Sequence, residues 1–176
     1  MAVHNPTNLC ILTMEKIYSY EEPKQIAYET QGDSTKRILN YDIREVTIDE
    51  IKDLWKAFLN ENKDDQSFSS KPEDWFVSNH KWQYRRLTFP IGIWSYEDVV
   101  EAIIRDKYSQ SEMESITNNM TAVLSGFLQD LATNGILSAT KWLISNIDED
   151  NATRFSEMQA WRKMAKDTAK SIFKNE

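Results

Sequence analysis

"IWSYEDVVEAIIRDKYSQSEMESI", residues 93 to 116, holds two helix starts about a dozen residues apart. Ser95 with Asp98, and Ser109 with Glu112, both have the S-x-x-D/E spacing of a capping box. In that motif the serine oxygen takes a free backbone N–H at the helix start and the acid reaches back to the cap residue. The first pair predicts a short helix that ends near Tyr108, with Tyr96, Val99, Val100, Ile103 and Ile104 turned inward. Ser109 favours capping a new helix over prolonging the old one. A chain that stops one helix and begins another at once is shaping a surface, and helices dominate the fold that follows from it.

Beyond Ser111 the apolar positions Ile116, Met120, Val123, Leu124, Phe127, Leu128 and Leu131 keep helical spacing for several turns. "TNG" (133–135) supplies a turn, and a further helical piece runs from Ile136 to Ile147 around Trp142, Leu143 and Ile144. After "DEDN" (148–151) a last helix covers roughly Ala152 to Phe173. Its inward stripe is Phe155, Met158, Trp161, Ala165, Ala169 and Ile172.

Toward the N-terminus the pattern changes. "KIYSY" and "QIAYE" are rich in β-branched and aromatic residues, are split by "EEPK", and precede "QGDS" and "KRILNYDIREVT"; this predicts three short antiparallel strands over 15–47. Leu39, Tyr41, Ile43 and Ile48 break strict alternation, which points to a bulge. Thr47 and Glu50 form another capping box and start a helix from Ile48 to about Asn60, with Ile48, Ile51, Trp55 and Phe58 on one face. "NENKDDQSFSSKPED" has no periodicity and many turn formers, so 61–74 reads as an exposed loop. "KWQYRRLTF" has strand character until Pro90 and Gly92. The expected organisation is a loose extension over 1–14, a small β region over 15–47 and a mainly helical part over 48–176, together one α+β domain that is predominantly helical.

With 176 residues the chain is long enough to bury a core without staples. One cysteine, Cys10, forms no internal bridge, and with His4 and His80 it makes no common structural zinc site. A net charge of −7 disfavours nucleic acid and anionic membrane as partners of the whole chain. "LCIL" (Leu9 to Leu12) is too short for a signal core or a membrane span.

The search for chemistry finds no convergent motif. His80, in "SNHKW", has no attached nucleophile pattern and reads as a packing or surface histidine. Asp42, Glu45, Asp49, Glu50 and Asp53 are explained by capping and solvation. "DEDN" lacks the glycine and the terminal glutamate of a calcium loop, and Gly32, Gly92, Gly126 and Gly135 are too scattered to cradle a phosphate. The expectation is a protein that is not an enzyme, with no catalytic, cofactor-binding or metal residues.

Two features suit partner contacts instead. Arg162, Lys163, Lys166 and Lys170, followed by Lys174, recur nearly every turn of the last helix. They read first as a solvated face that also complements the helix dipole, second as a docking surface for an acidic partner, and third as a nucleic-acid contact. Trp75, Trp82 and Trp94 fall within twenty residues; buried they are core, and exposed they are hot-spot candidates.

"YRRLTFPIGIWSYEDVVEAIIRDKYSQSEMESITNNM" (84–120) and "FSEMQAWRKMAKDTAKSIF" (155–173) resemble small proteins encoded among the structural genes of tailed bacteriophages and prophages of gut anaerobes. The resemblance covers the C-terminal half and carries no enzymatic signature. It implies a virion-associated structural or assembly role in the tail, neck or fibre attachment, with other phage structural proteins as partners and a homo-oligomeric state. The alternative is a regulatory module of the host cytoplasm that binds a host or phage protein.

Overall fold

The computed structural model describes residues 16–31, 34–61 and 73–174. The fold class is α+β: six helices and a four-stranded antiparallel sheet among the described residues. The extension expected over 1–14 lies outside the described residues, as does 62–72, most of the expected loop.

Strands β1 (Ile17–Ser19), β2 (Ile26–Gln31), β3 (Ser34–Glu45) and β4 (Trp82–Pro90) stand in the order β1-β4-β3-β2. The three strands read from 15–47 are present, and β4 enters between two of them. β3 pairs with β2 from Ile26↔Leu39 to Gln31↔Ser34, and with β4 from Lys36↔Pro90 to Tyr41↔Arg85. Pairing then resumes at Arg44↔Gln83, so Asp42 and Ile43 stand opposite Tyr84 alone. This is the bulge that the broken alternation announced. Asp42 takes φ 52°, a left-handed conformation that a short polar side chain tolerates. Leu39, Tyr41, Leu87 and Phe89, which share one face by this register, are all buried.

Helix α1 (Ile48–Glu61) begins at the Thr47 box: the Thr47 N–H donates to Glu50 Oε2 at 3.0 Å, and the Glu50 N–H donates to Thr47 Oγ1 at 3.3 Å. Ile51 is buried in a cluster with Val46 and Phe76, and Tyr18, Leu54, Trp55 and Phe58 pack against it. Ile48, expected on that face, is instead 70 % exposed. As the first helical residue it precedes the turn that meets the core.

A short helix α2 (Glu73–Asn79), not expected from the sequence, precedes β4. Its signal was only Phe76 and His80 four residues apart. The rings stack with centroids 3.8 Å apart, and His80 Nδ1 lies 2.8 Å from the Phe76 carbonyl oxygen, which closes the helix end. His80 is therefore a packing histidine.

By contacts the chain groups into two compact units, Met1–Trp94 and Ser95–Glu176. The division falls between the end of β4 at Pro90 and the start of the next helix at Tyr96. In the second unit α3 (Tyr96–Lys107), α4 (Gln110–Asn134), α5 (Ile136–Asn146) and α6 (Glu149–Phe173) follow with joints of one or two residues. Both serine boxes form. The Asp98 N–H donates to Ser95 Oγ, the Glu112 N–H donates to Ser109 Oγ, and each acid accepts from its serine backbone. Tyr108 closes α3, its N–H donating to the Ile104 carbonyl, so a two-residue joint separates α3 from α4. Gly135, at φ 82°, ends α4 and begins α5. Asp148 caps α6 by accepting from the Asp150 N–H, which accounts for "DEDN" as a helix start.

Helix α6 packs on α3 and on α4 through Met158, Ala165, Ala169 and Ile172, all buried. Tyr108, Ile116 and Met158 form its core cluster with Met113, Phe155 and Trp161. No helix among the described residues is long and apolar enough to cross a membrane.

Candidate docking surface

In the unit Met1–Trp94 Arg44 and Glu50 stand at the centre of a polar cluster among the described residues. The Arg44 guanidinium donates to both Glu50 oxygens at 2.9 and 2.8 Å and to Gln83 Oε1 at 3.0 Å, while the Tyr18 hydroxyl donates to the same Gln83 oxygen at 3.4 Å. The Arg44 hydrogen bonds, with those from Thr47, hold the Glu50 carboxyl down to about 2. Burial, opposed by Arg44, pushes the Tyr18 hydroxyl up. An open recess of about 320 Å³ adjoins them, lined also by Lys16 and Asp53. Glu50 is fully ionised at neutral pH and already holds two guanidinium hydrogen bonds. General acid/base work needs a group poised near neutral, so this cluster reads as the anchor that ties the start of α1 to the sheet.

The three tryptophans do not form one exposed patch. Trp82 opens β4, half-buried, paired in register with Ser19 and Glu45. Trp94 is half-buried: Phe89 meets it edge-on at 5.2 Å and the Arg37 guanidinium lies 4.4 Å from its ring. The backbone of Trp75 lies in α2, and its side chain is outside the described residues. Lys163, Lys166 and Lys170 on α6, and Lys174 at its C-cap, are exposed; Lys163, Lys170 and Lys174 lie opposite Ala165 and Ala169 by helical spacing, and Lys166 lies to their side. Arg162 is turned to one flank, where it lines a groove with Glu97 and Glu101 of α3. Among the described residues no group of three or more His, Cys, Asp or Glu is placed to hold a metal ion.

The surface that stands out lies on α4 and α5, which the sequence marked only by apolar helical spacing. Helical spacing predicts helices at α4 and α5 and does not say what covers them. Leu124 (49 %), Leu128 (60 %), Ile136 (60 %), Leu137 (79 %), Ile144 (72 %) and Ile147 (38 %) are all exposed. Ala139 is the only buried residue described in α5.

These side chains lie on one flank. Trp142 of α5 rests on Gly126 of α4, so α5 folds back along α4 across Gly135. Leu124, Leu128 and Leu131, at steps of four and three, project from α4 on the side away from Gly126. Ile136, Leu143 and Ile147, at steps of seven and four, project from α5 on the side away from Trp142, and Ile144 and Leu137 continue the surface outward. Thr121, Ser125 and Ala132 add small neutral residues to the α4 part.

A sequence signal for this surface exists in hindsight: the thirty-one residues 117–147 hold two charged side chains, Asp130 and Lys141, in a chain that is 28 % charged. By helical spacing Asp130 belongs to the Gly126 side of α4, and Lys141 stands between Leu137 and Ile144 on the outer edge of α5. A solvated hairpin has no reason to be so depleted of charge, and a docking surface does.

Gly126 carries a test of the hairpin geometry. Replacing an interior helical glycine by alanine ordinarily stabilises by about 1 kcal/mol. At Gly126 a Cβ would overlap the six-membered ring of the Trp142 indole. Gly126→Ala is therefore expected to destabilise by about 1–3 kcal/mol in urea unfolding, the range for overpacking. In a Trp142→Ala background the same change should stabilise; a stabilising effect in both backgrounds would contradict the contact.

No protein-family model, curated protein or solved structure matches the chain.

Proposed function

We propose that this protein is a non-enzymatic structural or assembly protein of a tailed bacteriophage particle, acting in the tail, neck or fibre attachment through contacts with other phage structural proteins. The observation that carries the reading is the bare apolar flank of the α4–α5 hairpin, charge-poor and presented on helices. A surface of that kind suits permanent burial against protein better than reversible chemistry on a small substrate. The resemblance of segments 84–120 and 155–173 to phage proteins supports the reading of a particle as the setting of such contacts. The polar cluster at Arg44 has a structural explanation in its two hydrogen bonds to Glu50.

Mass spectrometry of purified particles tests the assignment. The chain is expected in stoichiometric amount, and deletion of its gene should arrest assembly or leave particles lacking a tail or fibre component. Absence from particles together with normal assembly of the deletion strain would overturn the proposal and favour the cytoplasmic regulatory role.

A further inference from the structure

The apolar flank has a shape and charge that select its occupant. The geometry points to a second copy of this chain: two α4–α5 hairpins packed flank to flank about a two-fold axis as a four-helix bundle. This deepens the docking reading above and rests on it.

Area is the first argument. At their stated exposures the six large side chains leave on the order of 700 Å² of surface, close to the roughly 800 Å² each partner gives to a standard interface and above the 300–600 Å² of an ordinary monomer's largest patch. The flank of one hairpin is thus sufficient for a complete interface without help from the rest of the chain.

Charge is the second. In a two-fold pair every residue of the patch faces the same patch, so a surface of one sign repels its copy. The hairpin is neutral overall: Asp130 lies on the Gly126 side, Lys141 stands at the outer edge beside Leu137 and Ile144, and the two have opposite sign. A partner recognised by charge would leave a complementary signed rim, and the chain's excess of acidic residues lies outside 117–147. A surface so poor in charge, on a chain of net charge −7, suits the one partner that carries the same surface.

Packing is the third. Leu124 and Leu128 stand beside Thr121, Ser125 and Ala132 on α4. Alternating large and small residues on a helix face let the ridges of one helix enter the grooves of another at bundle distances.

Analytical ultracentrifugation of the full chain, over micromolar to hundred-micromolar concentrations, is the test. The wild type is expected as a dimer that dissociates on dilution. Leu137→Glu with Ile144→Glu should weaken it at least a hundredfold while far-UV circular dichroism stays unchanged, since both side chains are already in water in the single copy. Leu128→Glu, on the other helix, should act in the same direction. Hydrogen exchange on the wild type gives a readout free of substitutions: protection over residues 124–147 should rise with concentration, and protection of β3 should not. A chain that remains monomeric throughout, or a dimer indifferent to all three substitutions, would overturn the inference. Particle composition is measured separately, so a failed dimer leaves the virion assignment standing, and a failed virion assignment leaves the dimer standing.

Discussion

Phe76→Ala is expected to cost about 3–5 kcal/mol in the unit that contains the sheet, the range for removing a large buried ring. Phe76 is 4 % exposed. Its ring is the hub of an aromatic group: Trp55 at 5.1 Å, Phe58 at 5.4 Å and His80 at 3.8 Å. Trp55 and Phe58 belong to α1 and His80 follows α2, so one ring joins both helices. Truncation opens a cavity that three rigid rings cannot fill by small rotations, and it leaves Val46 and Ile51 without their common neighbour. Phe76→Leu, which keeps most of the volume, should cost under about 1.5 kcal/mol. Urea unfolding followed by tryptophan fluorescence measures both. A cost for Phe76→Ala no greater than that for Phe76→Leu would show that α2 contributes little to this core.

Trp161→Ala should destabilise the helical unit by about 3–5 kcal/mol, for a different reason. Trp161 packs against Tyr108, Ile116 and Met158, and its indole N–H donates to the Ile103 carbonyl of α3 at 2.9 Å. Lys107 places its ammonium 4.8 Å from the ring. The side chain therefore fastens α6 to α3 by area, by a hydrogen bond and by a cation–π contact. Trp161→Phe retains an aromatic ring and loses the donor; it should cost about 1–2 kcal/mol, one hydrogen bond plus a small loss of area. Equal losses for the two substitutions would mean that packing contributes nothing beyond the donor. The hydrogen bond reaches across fifty-eight residues of sequence, so its loss should also show as faster amide exchange in α3.

What the sequence made legible depends on range. Thr47 with Glu50, Ser95 with Asp98 and Ser109 with Glu112 each decide a helix start within four residues, and all three boxes form as the spacing indicates. The inward stripe of α6 was equally readable, because a long amphipathic period averages out local exceptions. Helix α2 was not, since seven residues hold too few turns to show a period. The place of β4 at the heart of the sheet was hidden as well: strand character says that a segment pairs and not with which neighbour. The exposure of Leu124, Leu128 and Ile144 was not legible from their helical spacing. Period reveals a helix and its apolar side; burial depends on whether another element arrives to cover that side. Of the residues singled out for partner contacts, the lysines of α6 are exposed, whereas Trp82 and Trp94 are drawn into the packing of their own unit. The docking flank was marked by an absence of charge, a signal that periodicity does not weigh.

The extra residue in β3 governs more than the curvature of one strand. Up to Tyr41 the odd-numbered positions share a face with Gln83 and Arg85; from Arg44 onward the even-numbered ones do. That exchange of parity is what brings the Arg44 guanidinium to the same side as Gln83 and Tyr18, within reach of Glu50. Pairing the same residues straight through, without the bulge, would set Ile43 against Gln83 and Arg44 against Trp82, and so send Arg44 to the opposite side of the sheet. The first helix would then lose its mooring through a one-residue slip in pairing alone, with every one of the bonding groups still present in the protein.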